Sequence, residues 1–193
     1  MAANTALGGD CPIKKSDARA QQIAALKAYP QPQRDRETTD LVKQLIGLEA
    51  WHHARTIATT VSGPFEVATG GIIAAAQAAG KQVLLPKVMP ERQMAFMPYN
   101  GMTSLVRSNF GLLEPAYDEQ TVNNAPDLVI VPGLAYAMDT HVRLGFGGGY
   151  YDRFLAKFHG VSISLALPIQ QVQTAFWPVE GFDMPLQQIL TIN

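Results

Sequence analysis

A single-domain, three-layer α/β/α fold with a mainly parallel central sheet is what this sequence predicts, on three observations. Short apolar or β-branched runs read as strands: Arg55-Thr-Ile-Ala-Thr-Thr-Val61, Val83-Leu-Leu85, Leu128-Val-Ile-Val131 and Ser162-Ile-Ser-Leu-Ala166. Helical spacings fall between them, and strands that alternate with helices imply right-handed crossovers and parallel pairing. The chain has 193 residues, 47% of them hydrophobic, which suits one domain around one substantial core.

Taken in order, residues 1–10 are small and polar and are expected to form a flexible tail. A helix should begin near Asp10 or Pro12 and run to about Lys27, with Ile23 and Leu26 on its apolar side and Pro30 past its end. Lys15 and Arg19, four apart, share one face of it. They form either a solvated basic face or, if the helix docks beside an anion site, a phosphate clamp. Residues 30–37 read as a polar break, and Thr38 or Thr39 as the cap of a second helix. Its core stripe is Leu41, Leu45 and Leu48, and Trp51, His52 and His53 close it. After the strand at 55–61, a loop carrying Glu66 and Thr69 leads into a small-residue helix over 70–79, ended by Gly80. Pro86 is expected to stop the strand at 83–85, Met94-Ala-Phe-Met97 to form an edge strand, and residues 189–192 a last short one.

Bulk properties narrow the function. A net charge of −1 and a pI of about 6.4 give no electrostatic case for nucleic acid or a membrane surface. A single cysteine, Cys11, excludes an internal disulfide and a cysteine-based zinc site and fits a reducing compartment. No signal-peptide pattern opens the chain, and its apolar runs are too short to span a bilayer, so a soluble, cytoplasmic protein is expected. His52, His53, His141 and His159 lack metal-ligand spacing and read as surface or loop residues.

The stretch Arg143-Leu-Gly-Phe-Gly-Gly-Gly-Tyr-Tyr-Asp-Arg153 stands apart. So dense a run of glycine costs backbone entropy, which points to positive φ angles or a ligand held against bare backbone. Tyr151, Leu155 and Phe158 then follow at helical spacing. A strand, a loop, glycines and a helix start together aim N–H groups at an anion such as phosphate. The loop is neither a P-loop nor a Gly-x-Gly-x-x-Gly turn. Asp152 would repel a polyphosphate unless a cation lay between them, and Mg²⁺ takes one or two carboxylates plus phosphate oxygens. Glu66 reads equally as a helix-capping acid or as an acceptor for an amino-heterocycle. Asp183 reads as a turn aspartate or as a second metal carboxylate. Phe65, Phe96, Met97, Tyr150, Tyr151 and Trp177 could wall a flat ligand, although several should simply be core.

These residues carry a family resemblance. Arg143-Leu-Gly-x-Gly-x-Gly-Tyr-Tyr-Asp-Arg153 resembles the signature of the 5-formyltetrahydrofolate cyclo-ligases, also called methenyltetrahydrofolate synthetases. Lys15-Ser-Asp-Ala-Arg19, Glu66-Val-Ala-Thr69, Val131-Pro-Gly-Leu134 and Asp183-x-Pro185 are similar to further family motifs, in the same order and over almost the whole chain. The resemblance implies a Rossmann-like architecture of the sugar-phosphate isomerase and CoA-transferase kind. It implies ATP binding by Lys15, Arg19, Arg143, Leu144, Gly145, Phe146, Gly147, Gly148, Gly149, Tyr150 and Tyr151. It places the folate against Val61, Glu66, Phe146, Gly147, Gly148, Gly149 and Tyr150, and Mg²⁺ on Asp152 and Asp183. Lys15, Arg19, Arg143 and Asp152 become the catalytic set. The implied reaction converts 5-formyltetrahydrofolate, with or without a polyglutamate tail, to the 5,10-methenyl form with release of ADP and phosphate, through a phosphorylated formyl group. A monomer or weak homodimer is expected.

The chain departs from the family pattern in two places. Ala135-Tyr-Ala-Met-Asp-Thr-His-Val-Arg143 has one residue more than the usual segment and lacks its glycine, and Phe182 and Gln187 replace an expected histidine and acid. Two other readings stay open at this level. One is an isomerase or acyl-CoA transferase on the same architecture; the other is a nucleotide-binding module without folate activity.

Overall fold

Side chains alternate across the strands and sort the core onto two faces of one sheet. Ile57, Leu128, Ile130, Ile163 and Leu165 pack on one side, and Ala58, Val129, Val131 and Ala166 on the other. A computed structural model of the chain describes residues 13–108 and 111–192. Its elements are α1 (Lys15–Ala28), α2 (Gln31–Ile46), α3 (Glu49–His53), β1 (Thr56–Ala58), α4 (Gly70–Ala78), β2 (Gln82–Val88) and β3 (Met94–Tyr99). After these come β4 (Leu105–Arg107), β5 (Leu113–Pro115), β6 (Leu128–Ile130), β7 (Ala135–Ala137), β8 (Arg143–Leu144), α5 (Tyr150–Leu155), β9 (Val161–Ala166), β10 (Gln171–Val172) and β11 (Gln188–Thr191).

The main sheet has six strands in the order β11-β9-β6-β1-β2-β3, parallel except for the antiparallel edge strand β3. Residues of α2, α3 and α4 cover one face, and α5 with Phe154 and Tyr151 covers the other. This is the predicted mainly parallel α/β/α arrangement. No helix among the described residues is long and apolar enough to cross a membrane.

Several local expectations change. The start of the first helix near Asp10 or Pro12 lies outside the described residues, and the described helix begins at Lys15. Residues 30–37 are not a break. α2 starts at Gln31 because Pro32 falls in the first turn, where a missing N–H costs nothing. Arg34 tucks its guanidinium against the Leu26 carbonyl, and Tyr29 donates to Glu37, so Thr38 is buried mid-helix and caps nothing. Leu48 precedes α3 as a separate turn.

Pro86 does not stop β2 either. β1 accompanies β2 only as far as Leu84, so the proline faces no partner on that side. On the other side it lies opposite Phe96, whose N–H goes to Asn124 and whose carbonyl takes the Asn123 N–H. No ladder bond is asked of Pro86. The strand predicted over 55–61 pairs only at Thr56–Ala58. The β4–β5 hairpin and a small sheet of order β10-β7-β8 were not foreseen. α5 spans six residues, so Phe158 lies beyond the helix and stacks on Phe154 at 4.9 Å.

The small sheet matters most for the site. Ala18 and Leu26 of α1 pack into a third apolar cluster with Leu134, Ala135, Ala137, Val142, Leu144 and Trp177. α1 is thereby fixed beside the segment that leads into the glycines. The long 135–143 segment closes as the β7–β8 hairpin, with His141 in the left-handed region at φ 57°.

Candidate active site

With the buried stripe of α1 turned to the small sheet, Lys15 and Arg19 line its rim. Arg19 Nε donates to the Gly145 carbonyl at 2.9 Å. Lys15 Nζ lies 2.7 and 2.9 Å from the two oxygens of Asp183 and 3.1 Å from Glu180, with its ammonium 5.6 Å from the centre of the Phe182 ring. Of the two cations, Arg19 meets the glycine loop and Lys15 meets the 180–183 turn.

In that loop Gly147 has φ 104° and Gly149 φ 67°, conformations that side-chain-bearing residues avoid. The carbonyls at the two ends of the loop are occupied: Arg19 holds that of Gly145, and Arg153 holds that of Gly149 at 3.0 Å. The amides are not. Within 145–149 no N–H donates a hydrogen bond to another described residue. No side chain caps the first turn of α5. Because α5 is so short, these loop amides, more than a long helix dipole, are the donors available to an anion there.

Arg143 emerges from β8 almost wholly buried, at 5% exposure. Its guanidinium donates to Asp152 Oδ1 at 3.0 Å and to the Met184 carbonyl at 3.2 Å, and lies 5.9 Å from the Tyr151 ring centre. The Met184 N–H returns to the same Asp152 oxygen at 3.2 Å. Asp152 is thus tied to the residue that follows Asp183, which brings the two acids of the expected metal pair into one network. Among the described residues no three His, Cys, Asp or Glu side chains cluster, so an all-protein metal cage is not formed there. Two carboxylates in one network suit Mg²⁺, which takes one or two carboxylates and fills its remaining positions with water or phosphate oxygens.

Glu66 sits in the loop after β1 and accepts the Gly63 N–H. The helix-capping reading fails here: Ser62 and Thr69 close the loop by bonding each other's backbone N–H, and no side chain caps α4. Burial raises the Glu66 carboxyl above its usual 4.5, only partly offset by the Gly63 bond. Thr59, Ser62, Glu66, Tyr136 and Gln170 place polar groups in a narrow, largely apolar cleft at the carboxyl ends of β1 and β6. That is where ligands enter open parallel sheets. Burial pushes the Tyr136 and Tyr151 hydroxyls well above their ordinary value, and Tyr151 Oη and Thr59 Oγ1 are buried with no hydrogen-bond partner among the described residues.

Of the other candidates, Val61 is half-buried just beyond β1, and Phe146 is 48% exposed at the loop rim. Phe96, Met97 and Trp177 are core. Gln187 is structural here: its side chain accepts the Ser162 N–H at 2.7 Å and links β11 to β9. His141 is a half-buried loop residue whose ring meets the Leu186 carbonyl at 3.2 Å, and the other three histidines are exposed. Tyr136 and Glu180 were missed. Tyr136 lies in a segment without periodicity, and its one advance sign is Gly133, where a side chain would stand 3.0 Å from the tyrosine ring. A wider cleft of about 520 Å³ opens near Ala54, Pro126 and Gly160, at the amino ends of β1, β6 and β9. Its Asp127 is engaged in holding the start of β1 through the Arg55 and Thr56 amides.

A parallel α/β sheet with unengaged loop amides, converging cations and two linked acids at its carboxyl edge defines an anion-handling enzyme site. The profile of the 5-formyltetrahydrofolate cyclo-ligase family matches residues 13–192, and the chain belongs to that family. It is 32% identical over 174 residues to the 5-formyltetrahydrofolate cyclo-ligase of Haemophilus influenzae, covering 86% of this chain and 90% of the relative. The Escherichia coli K12 protein of the same description is 32% identical over 145 residues, 72% of this chain and 78% of that one. The solution structure of Aquifex aeolicus 5,10-methenyltetrahydrofolate synthetase superimposes with a TM-score of 0.78 at 25% identity, over 92% of this chain and 89% of that one. These matches favour a ligase over the isomerase, transferase and non-enzymatic readings.

Proposed function

We propose that the protein uses Mg-ATP to close 5-formyltetrahydrofolate into 5,10-methenyltetrahydrofolate, releasing ADP and phosphate. The single observation that carries this is one grouping: Arg19 on a glycine loop whose amides are unengaged among the described residues, with Lys15 on Asp183, Arg143 on Asp152, and Met184 bonded to Asp152.

A formamide oxygen is a very poor leaving group, so the amine nitrogen N10 cannot displace it unaided. Transfer of the γ-phosphoryl group of ATP to the formyl oxygen makes it a phosphate ester. N10 then attacks the activated carbon, the C–O bond breaks, and phosphate departs with the electron pair and, in the net reaction, with the proton that N10 gives up. Phosphoryl transfer depends on positioning and charge neutralisation. The loop amides hold phosphate oxygens, and Lys15, Arg19 and Arg143 neutralise developing charge. Asp152 and Asp183 would hold Mg²⁺, which when bound polarises the phosphate and screens it from the acids. Glu66, at the cleft beside Tyr136, accepts N–H groups of the pterin, and Val61 and Phe146 pack on its ring.

The decisive assay incubates the protein with 5-formyltetrahydrofolate and follows the near-ultraviolet absorbance of the methenyl product. Product is expected only when ATP and Mg²⁺ are both present. Asp152→Ala should abolish turnover while leaving a cooperative unfolding transition. Full activity of that variant at ordinary Mg²⁺ would remove Asp152 from the metal assignment.

A further inference from the structure

The charges that would grip a nucleotide already grip one another. Lys15 is bound by both oxygens of Asp183, whose side chain is 8% exposed, and Arg143 by Asp152. Asp183 is itself held in place, since one of its oxygens also accepts the Glu180 N–H at 2.8 Å. A polyphosphate arriving without a metal must take Lys15 and Arg143 from their acids. It then lies against the carboxylates it has displaced, and like charges at contact are strongly unfavourable in a partly desolvated site. A polyphosphate that brings a dication changes the exchange: its oxygens take the cations while the released acids take the metal, and every charge keeps an opposite partner.

We infer that Asp183 and Asp152 are specificity residues which, by holding Lys15 and Arg143, make the site reject polyphosphate that carries no divalent cation. This rests on the nucleotide site proposed above. It assigns the two acids a task before metal arrives, as competitors for the phosphate-binding cations. Negative selection of this kind discriminates by leaving the wrong ligand with an unpaired charge.

The test is calorimetric titration of the full chain with ATP, once in excess EDTA and once in excess Mg²⁺. The wild-type protein should bind Mg-ATP at least about tenfold more tightly than metal-free ATP. Asp183→Asn retains an acceptor for the Glu180 N–H. It should tighten metal-free ATP by about tenfold, one screened charge contact, and shrink the Mg²⁺ preference. Asp152→Asn retains an acceptor for Arg143 and Met184, should act in the same direction, and carries the test if the first variant does not fold. Variants that bind metal-free ATP no more tightly than wild type overturn the inference, as does a wild-type protein that binds both forms equally. A wild-type protein that binds ATP in neither buffer instead overturns the nucleotide assignment itself.

Discussion

Replacing Arg143 by methionine tests whether the site and the fold share one support. Methionine keeps most of the aliphatic bulk beside Tyr151 but removes the charge and both donors. The side chain of Arg143 is 3% exposed and that of Asp152 21%. Removing one partner of a buried pair costs about 3–5 kcal/mol, because the remaining charge is left uncompensated. Water can reach part of Asp152 and recover some of that, so about 3 kcal/mol is expected. For a chain of this size that corresponds to a fall in melting temperature of about 6–12 °C. Thermal unfolding followed by circular dichroism gives the number. A double-mutant cycle with Asp152→Ala isolates the pairwise part, which should change little with added salt because the pair is shielded. A drop below about 2 °C, or no coupling in the cycle, would refute the claim that Arg143 fastens the 183–184 segment to α5.

Three further outcomes follow from single residues. Glu66 has a folded-state carboxyl raised above 4.5 by burial, so it binds its proton more tightly folded than unfolded. Its contribution is most favourable below 4.5 and is lost as pH rises through the raised value; Glu66→Gln should flatten that part of the stability–pH curve in urea titrations while weakening folate binding. Asp127 behaves oppositely. Burial opposes its ionisation, but the Thr56 and Arg55 amides and the Thr56 hydroxyl outweigh it and hold the carboxyl below 3.8. Its stabilisation is therefore present above 3.8 and lost as pH falls through the depressed value, and Asp127→Ala should cost about 1–2 kcal/mol at neutral pH and little in strong acid, measured by denaturant titration. Gly147→Ala places a methyl at φ 104°, 3.4 Å from the Arg19 guanidinium. It should lower stability by about 1–2 kcal/mol and weaken ATP binding measured by calorimetry, and unchanged affinity would show that the Arg19–Gly145 contact is dispensable.

Much of this was legible in advance because the signals are local. The parallel strands announced themselves by β-branched runs buried on both faces, and the glycine loop by a composition of which positive φ accounts for Gly147 and Gly149. The misjudged segments have one cause: each is decided by what lies across from it. Pro86 is tolerated because Phe96 spends its backbone bonds on Asn123 and Asn124. Residues 30–37 are helical because Arg34 and Glu37 find partners at Leu26 and Tyr29. The two-residue and three-residue strands of the small sheet are too short for any periodicity to register.

The chain alone determined that glycines, cations and acids of suitable chemistry exist, and in what order, because residue type and spacing are written in it directly. Tertiary structure decided which of them meet. Packing of Ala18 and Leu26 on the small sheet carries Arg19 to Gly145, 126 positions away, and Lys15 to Asp183, 168 positions away. The Met184 backbone, bonded to Asp152, ties the residue after Asp183 to α5. Long-range contacts of this kind arise from burying apolar faces against one another, and their geometry belongs to the assembled core rather than to any segment of it.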